Sequence, residues 1–245
     1  MNRVTTPRLG TRLFRGDGRT EKKRPRPQVL VALANEVLLA LTVVLMMNAW
    51  PSVVDEATPE TLPSLGLAAV QLLACLPLSE ALFYFGHRAL HQPFMYDHVH
   101  YVHHQFDAPF ALASIYAHPV EFMLANIPTI LGPMLVVRPH VACWAAWSAG
   151  ASLKIIQGHV GWHLPFIHSP EAHDFHHSLD HGRNLNNLGQ LGILDALFGT
   201  NKDWLDAWQL PLDKTYATPD YPVDRVLARD AAAARAEDTK FAGLA

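Results

Sequence analysis

The chain has 245 residues, of which 50% are hydrophobic and only 17% charged, against about 25% charged in soluble domains. That composition argues against an ordinary soluble enzyme and predicts a membrane protein. The formal net charge of -3 hides an asymmetry, because nine of the nineteen Lys and Arg lie within residues 1–27, opposed there only by Asp17 and Glu21.

Residues 1–28 lack apolar periodicity and are expected to form a mobile cytoplasmic arm. A basic arm could bind nucleic acid, but no aromatic-basic interleaving supports that. Directly before an apolar span it reads as a cytoplasmic flank under the positive-inside rule, touching anionic lipid.

Residues 29–50 (VLVALANEVLLALTVVLMMNAW) are long enough to cross a bilayer, which takes about 20 residues, and too long for the core of a signal peptide. Glu36 inside this run is a site candidate, since intramembrane ionisable groups are; the preferred reading turns it to the interface or to another helix. Residues 51–64 carry three acids, no Lys or Arg and three prolines, as suits a far-side loop. Residues 65–86 form a second run, interrupted by Pro77 and Glu80, with His87 at its exit.

Residues 120–137 and 141–158 are expected to make a helical hairpin turning at 138–140, shorter or more tilted than a standard span. Four spans in all would place both termini in the cytoplasm and every histidine box on one side. The expected organisation is a cytoplasmic arm (1–28), a membrane domain (29–200) and a C-terminal cytoplasmic tail (201–245). Two cysteines, Cys75 and Cys143, are too few for a disulfide framework or a zinc ribbon and read as small core residues.

Ten of the fifteen histidines fall into four boxes: His87 and His91; His100, His103 and His104; His159 and His163; His173, His176 and His177. Spacings of three and four put each group on one helix face, so that each face can hold one metal. Neutral imidazole is the commonest protein metal ligand, and a structural zinc would use only four of the ten. The count predicts two metal ions, while imidazole by itself accepts iron, zinc, copper and nickel alike.

The order HRALH, HVHYVHH, SIYAHPVE, HVGWHLP, HDFHH, DALFGT resembles the fatty acid hydroxylase and sterol desaturase superfamily of membrane di-iron oxygenases, over about residues 65–200. AHPVE and HVGWHLP look closest to sterol methyl oxidases and sterol side-chain hydroxylases. The resemblance implies an all-α fold of about four membrane helices beneath a cytosolic helical cap, with a dinuclear iron site held by all ten box histidines. At His163 the chain is similar to fatty acyl hydroxylases, where sterol-type members often have Asn or Asp. The family's Asn-Tyr-Gly is replaced by Asn186, Asn187, Leu188 and Gly189, and the aromatic before Asp195 by Leu194, so the pocket wall departs from the pattern.

The resemblance further implies dioxygen, two external electrons and attack on an unactivated C–H bond of a sterol-like, isoprenoid or fatty acyl lipid. The electrons would come from a separate ferredoxin or cytochrome with its reductase, because the chain carries neither a dinucleotide fingerprint nor iron–sulfur cysteine spacing. A desaturase would share the same metal site, and a non-enzymatic membrane metal-binding or transport protein is a third reading.

Neutral ligands bring no negative charge, so carboxylates should orient the imidazoles. Candidates are Glu80, Asp97, Glu121, Asp174 and Asp195, with Glu80 foremost because it lies two helical turns before His87. Asp174 sits inside HDFHH. His118 in AHPVE resembles a fixed family position and is expected to line the site. His98, His140, His168 and His181 fall outside the matched positions. Phe83, Tyr84, Phe85, Trp144, Trp147 and Trp162 are expected to pack helices rather than to wall a tunnel.

Overall fold

A computed structural model describes residues 25–49, 58–105, 111–160, 170–177 and 184–208. The expected arm and tail therefore lie mostly outside the described residues, as do His163, His168, His181 and Trp162. The described residues are mostly helical and contain no strand.

Helix α1 runs Pro25–Ala49, α2 Leu65–Leu90, α3 Pro93–His98, α4 Pro119–Val137, α5 Val141–Val160, α6 Pro170–His177, α7 Ile193–Phe198 and α8 Lys202–Trp208. Short 3-10 turns cover His100–Gln105 and Ala111–Ser114. Ser64 starts α2 by accepting the Leu67 N–H at 3.3 Å, which satisfies a donor that has no partner within the helix.

Three helices are long and apolar enough to cross a membrane: α1 from Gln28, α2 and α4. On α1, Leu30, Leu33, Val37, Leu41 and Val44 are exposed at helical spacing, as a lipid-facing stripe requires. Glu36 is exposed too, while its neighbour Asn35 is buried. Asn35 Nδ2 donates to Ile115 O and Ala117 O, each at 3.0 Å, and ties α1 to the loop before α4.

Helix α5 is not among the three spans; Lys154, Gln157 and His159 interrupt its last turns. It nevertheless runs back alongside α4, which begins at the histidine-rich end and finishes at Arg138 in the left-handed region (φ 50°). At the other end Thr61 Oγ1 lies 3.3 Å from His140 Nε2, joining the 58–61 turn to the 138–140 turn.

The core between the long helices has two apolar clusters, Cys75, Met134, Trp144 and Trp147, and Phe122, Ile127, Ile130 and Leu131. Both cysteines are buried and free, and Trp144 and Trp147 pack helices. Pro133 cannot donate to Thr129 O four residues back. Ser79 of α2 supplies that hydrogen bond at 3.2 Å, as a backbone carbonyl away from water requires.

Candidate metal centre

Helix α2 carries His87 in its last turn and His91 as its C-terminal cap. The chain then turns through α3 and delivers His100, His103 and His104 on a 3-10 turn rather than on an α-helix. Helix α5 brings His159 in its last turn, and α6 brings His173, His176 and His177. Nine of the ten box histidines thereby converge on one end of the helices.

They form two groups: His87, His91, His100, His104 and His176 in one, His103, His159, His173 and His177 in the other, with ligand atoms in each within 4.8 Å of one another. Two groups match the two ions that the count predicts. The expectation of one face per metal is corrected, however. In both HxxHH boxes the residues four apart share a group, and the fourth residue, His103 or His176, points into the other group. Adjacent side chains diverge, His103 from His104 on the 3-10 turn and His176 from His177 on α6, and that divergence interlocks the two groups.

The outer ring nitrogens are anchored. Nδ1 of His87 lies 2.8 Å from Leu188 O, of His103 3.2 Å from Tyr116 O, of His159 2.8 Å from Ile155 O and of His176 2.6 Å from Asn186 O. A carbonyl can only accept, so Nδ1 carries the hydrogen and Nε2 keeps its lone pair. His100 Nδ1 meets Glu121 Oε1 at 2.9 Å, with both residues buried.

The Nε2 atoms crowd together. His100 Nε2 lies 3.0 Å from those of His87 and His91 and 3.1 Å from that of His104, and the His159 and His173 Nε2 atoms are 3.1 Å apart. A neutral imidazole has one N–H, and where Nδ1 holds it these approaches set lone pairs against each other. His176 Nε2 and both ring nitrogens of His177 are buried with no hydrogen-bond partner. A cation at the centre of each group would take up the one nitrogen that each ring turns toward it, and an all-imidazole set suits iron, zinc, copper or nickel rather than calcium or magnesium.

Burial, reinforced by neighbouring imidazoles, pushes His100, His104, His173, His176 and His177 well below the ordinary histidine range. Burial takes His103 to about 4, against the opposing pull of the Tyr116 and Ala113 carbonyls. These side chains are therefore neutral at pH 7, the form that binds metal.

The expected carboxylates divide. Glu121 stands against an imidazole, that of His100. Glu80 accepts four backbone N–H groups instead, from Gln190 (2.9 Å) and Leu191 (2.8 Å) on Oε2 and from Ile193 (3.1 Å) and Leu194 (3.2 Å) on Oε1. Asp195 accepts from Leu188 N and Gly189 N, both at 2.7 Å, and from Thr200 Oγ1 at 2.6 Å. Together they clamp the loop whose Leu188 carbonyl holds His87. Asp174 is half-buried on α6 and Asp97 is exposed on α3. His118 is half-buried and caps α4, its Nδ1 accepting the Val120 N–H at 3.2 Å.

A cavity of about 60 Å³ touches both groups, through His87 and His100 of the first and His103, His159 and His173 of the second. Phe83, Glu121, Asn126, Lys154 and Gln190 also line it. Phe83 thus walls the cavity, where helix packing alone was expected. Lys154 escaped the sequence reading, although the rule that flagged Glu36 would have flagged it.

A model of the fatty acid hydroxylase family matches residues 72–200, more than half of the chain. The chain belongs to the fatty acid hydroxylase family. All ten box histidines lie inside the matched range. It is 39% identical over 177 residues to fatty acid hydroxylase ahd1 of Mycosarcoma maydis, covering 72% of this chain and 44% of that protein. It is 36% identical over 154 residues to very-long-chain aldehyde decarbonylase GL1-11 of Oryza sativa subsp. indica (60% and 58%), and 34% identical over 151 residues to methylsterol monooxygenase 2-2 of Arabidopsis thaliana (58% and 56%). The chain spans about half the length of these relatives. No solved structure matches it.

Proposed function

We propose that this fatty acid hydroxylase family member is a membrane-bound di-iron oxygenase that hydroxylates an unactivated C–H bond of a sterol-like, isoprenoid or fatty acyl lipid. The observation that carries the reading is the convergence of nine histidines into groups of five and four. His87, His91, His100, His104 and His176 would hold one iron, and His103, His159, His173 and His177 the other. His163, four residues beyond His159, is a further ligand by family resemblance and lies outside the described residues.

Bound iron would supply the activation of dioxygen that an aliphatic C–H bond, with no acidic proton and no carbonyl, demands. The residues do the rest. Carbonyls of Leu188, Tyr116, Ile155 and Asn186 hold the Nδ1 protons and aim Nε2 inward. Glu121, with Oε1 2.9 Å from His100 Nδ1, is placed beside an otherwise neutral ligand set and would support that ring's orientation once metal is bound. Burial keeps bulk water from the reacting carbon.

Two electrons would come from a separate ferredoxin or cytochrome with its reductase. All four long helices, α5 included, would cross the bilayer, leaving the histidine end and both termini in the cytoplasm. A desaturase would use the same site and differ in the fate of the substrate. A transport role is disfavoured because His87 and His159 sit at helix ends, not along a path at mid-membrane depth.

The test is elemental analysis of full-length protein purified in detergent from iron-replete cells. Close to two irons per chain is expected, followed by oxygen-dependent product in lipid extracts. Failure to bind metal after reconstitution with iron or zinc would overturn the ligand set.

A further inference from the structure

Lys154 has a place that the metal reading does not use. It lies five residues before His159 on α5, about 7.5 Å further along the helix axis. It lines the cavity that touches both histidine groups. Among the described residues no hydrogen bond or ion pair involves it, and the carboxylate whose charge it feels is Glu80, both of whose oxygens are already held by backbone amides.

A lysine on the wall of a cavity, with no hydrogen-bonding partner among the described residues, has donor capacity that only water or a bound molecule can take up. Long lysines near a helix end can also reach outward to the interface; Lys154 is half-buried and borders the cavity. An ionisable group so placed marks a site, and the group it lacks is an oxygen acceptor. Gln190 and Asn126 add amide donors to the same wall, while Ser114, Glu121 and the five histidines supply its other polar groups and Phe83, Leu90 and Ala125 its apolar part. At about 60 Å³ the cavity has room for roughly four to six water-sized groups, at about 10–15 Å³ each. It admits one end of a lipid and not its whole body.

We propose that Lys154 anchors the oxygenated end of the lipid substrate, its ammonium donating to a carboxylate, carbonyl or hydroxyl oxygen, so that a carbon within a few bonds of that oxygen lies between the two histidine groups. This rests on the reading of the site as a metal centre and narrows its substrates to lipids oxidised near a polar head. A purely apolar chain end would bury the ammonium beside hydrocarbon and is rejected. Lys154 acts here as a specificity-determining residue.

The test uses full-length, iron-loaded protein in lipid nanodiscs and equilibrium binding of decanoate, 1-decanol and decane to wild type, Lys154→Met and Lys154→Arg. Wild type is expected to prefer the two oxygenated probes over decane. Lys154→Met should weaken them by about tenfold or more, the scale of losing a hydrogen bond from a charged donor, and leave decane unchanged or tighter. Lys154→Arg should restore decanoate binding. Weakening of decanoate alone assigns a carboxylate, and weakening of both assigns any oxygen acceptor. Equal binding of all three probes to wild type, or unchanged binding to Lys154→Met, overturns the proposal, as does loss of iron from that variant, which would make Lys154 structural. Iron content of the wild type reports separately on the metal reading.

Discussion

Glu121 Oε1 lies 2.9 Å from His100 Nδ1, and both residues are buried at the centre of the site. His100 is also the imidazole whose Nε2 approaches three others. Glu121 is therefore the carboxyl group placed to support the ring around which the five-histidine group is arranged. Glu121→Ala is expected to weaken metal binding by about 10- to 100-fold, the range seen when such supports are removed. Glu121→Gln keeps one acceptor oxygen and should lose less. Iron retention against a graded chelator, read beside the thermal midpoint of the apoprotein, checks both. Equal retention by all three proteins would remove Glu121 from this role.

The same support logic explains what the sequence could and could not reveal. The histidines were legible because ligand chemistry needs a particular residue type at helical spacing, and nine of them do meet. Which group each joins was not legible, since His103 and His104 are neighbours in sequence but diverge on a 3-10 turn. Glu80 looked better placed than Glu121 because only its distance from His87 along α2 could be judged. Its actual partners, the amides of residues 190–194, lie 110 or more residues away and carry no side-chain signature. The carbonyl supports are invisible for the same reason. Three of the four expected spans stand out by length and apolarity, while α5 combines a helix along the bundle with the polar residues of the site.

Interlocked groups make a distinctive pattern of loss. His104→Ala removes a ligand from the five-histidine group and His177→Ala one from the four-histidine group, although their rings stack at 4.4 Å between centroids. Each single variant is expected to fall toward one iron per chain and the double variant toward none, with lipid oxidation lost in all three. Elemental analysis reads the first outcome and product assay the second. Two retained irons in either single variant would remove that histidine from the ligand set.

Gly189 is the point at which the loop clamp is tightest. A Cβ built there would lie 2.6 Å from Glu80 Oε1 and 2.8 Å from Asp195 Oδ2, and both carboxylates are already fixed by backbone amides. Gly189→Ala must push the loop away and with it the Leu188 carbonyl that holds His87. A loss of about 1–3 kcal/mol is expected, as for overpacking of a filled site, together with weaker iron retention. The thermal midpoint and iron content of the purified variant check this. A midpoint equal to wild type would mean that the clamp yields freely.

The lowered histidine values set a pH dependence for the metal-free protein. A histidine depressed in the folded state binds fewer protons there than in the unfolded chain, where its value is about 6.5. Stability is then fully present above about pH 6.5 and falls as pH drops, by up to about 1.4 kcal/mol per pH unit for each such group. For His103 the loss continues until its folded value of about 4. His100, His104, His173, His176 and His177 shift in the same direction, so the slope should exceed that of a single group. Thermal unfolding of the apoprotein in detergent, stepped from pH 7.5 to pH 5, is expected to show a falling midpoint, and His103→Gln should make the fall shallower. A midpoint that holds or rises on acidification would contradict neutral buried histidines, because protonation would then cost the folded state nothing.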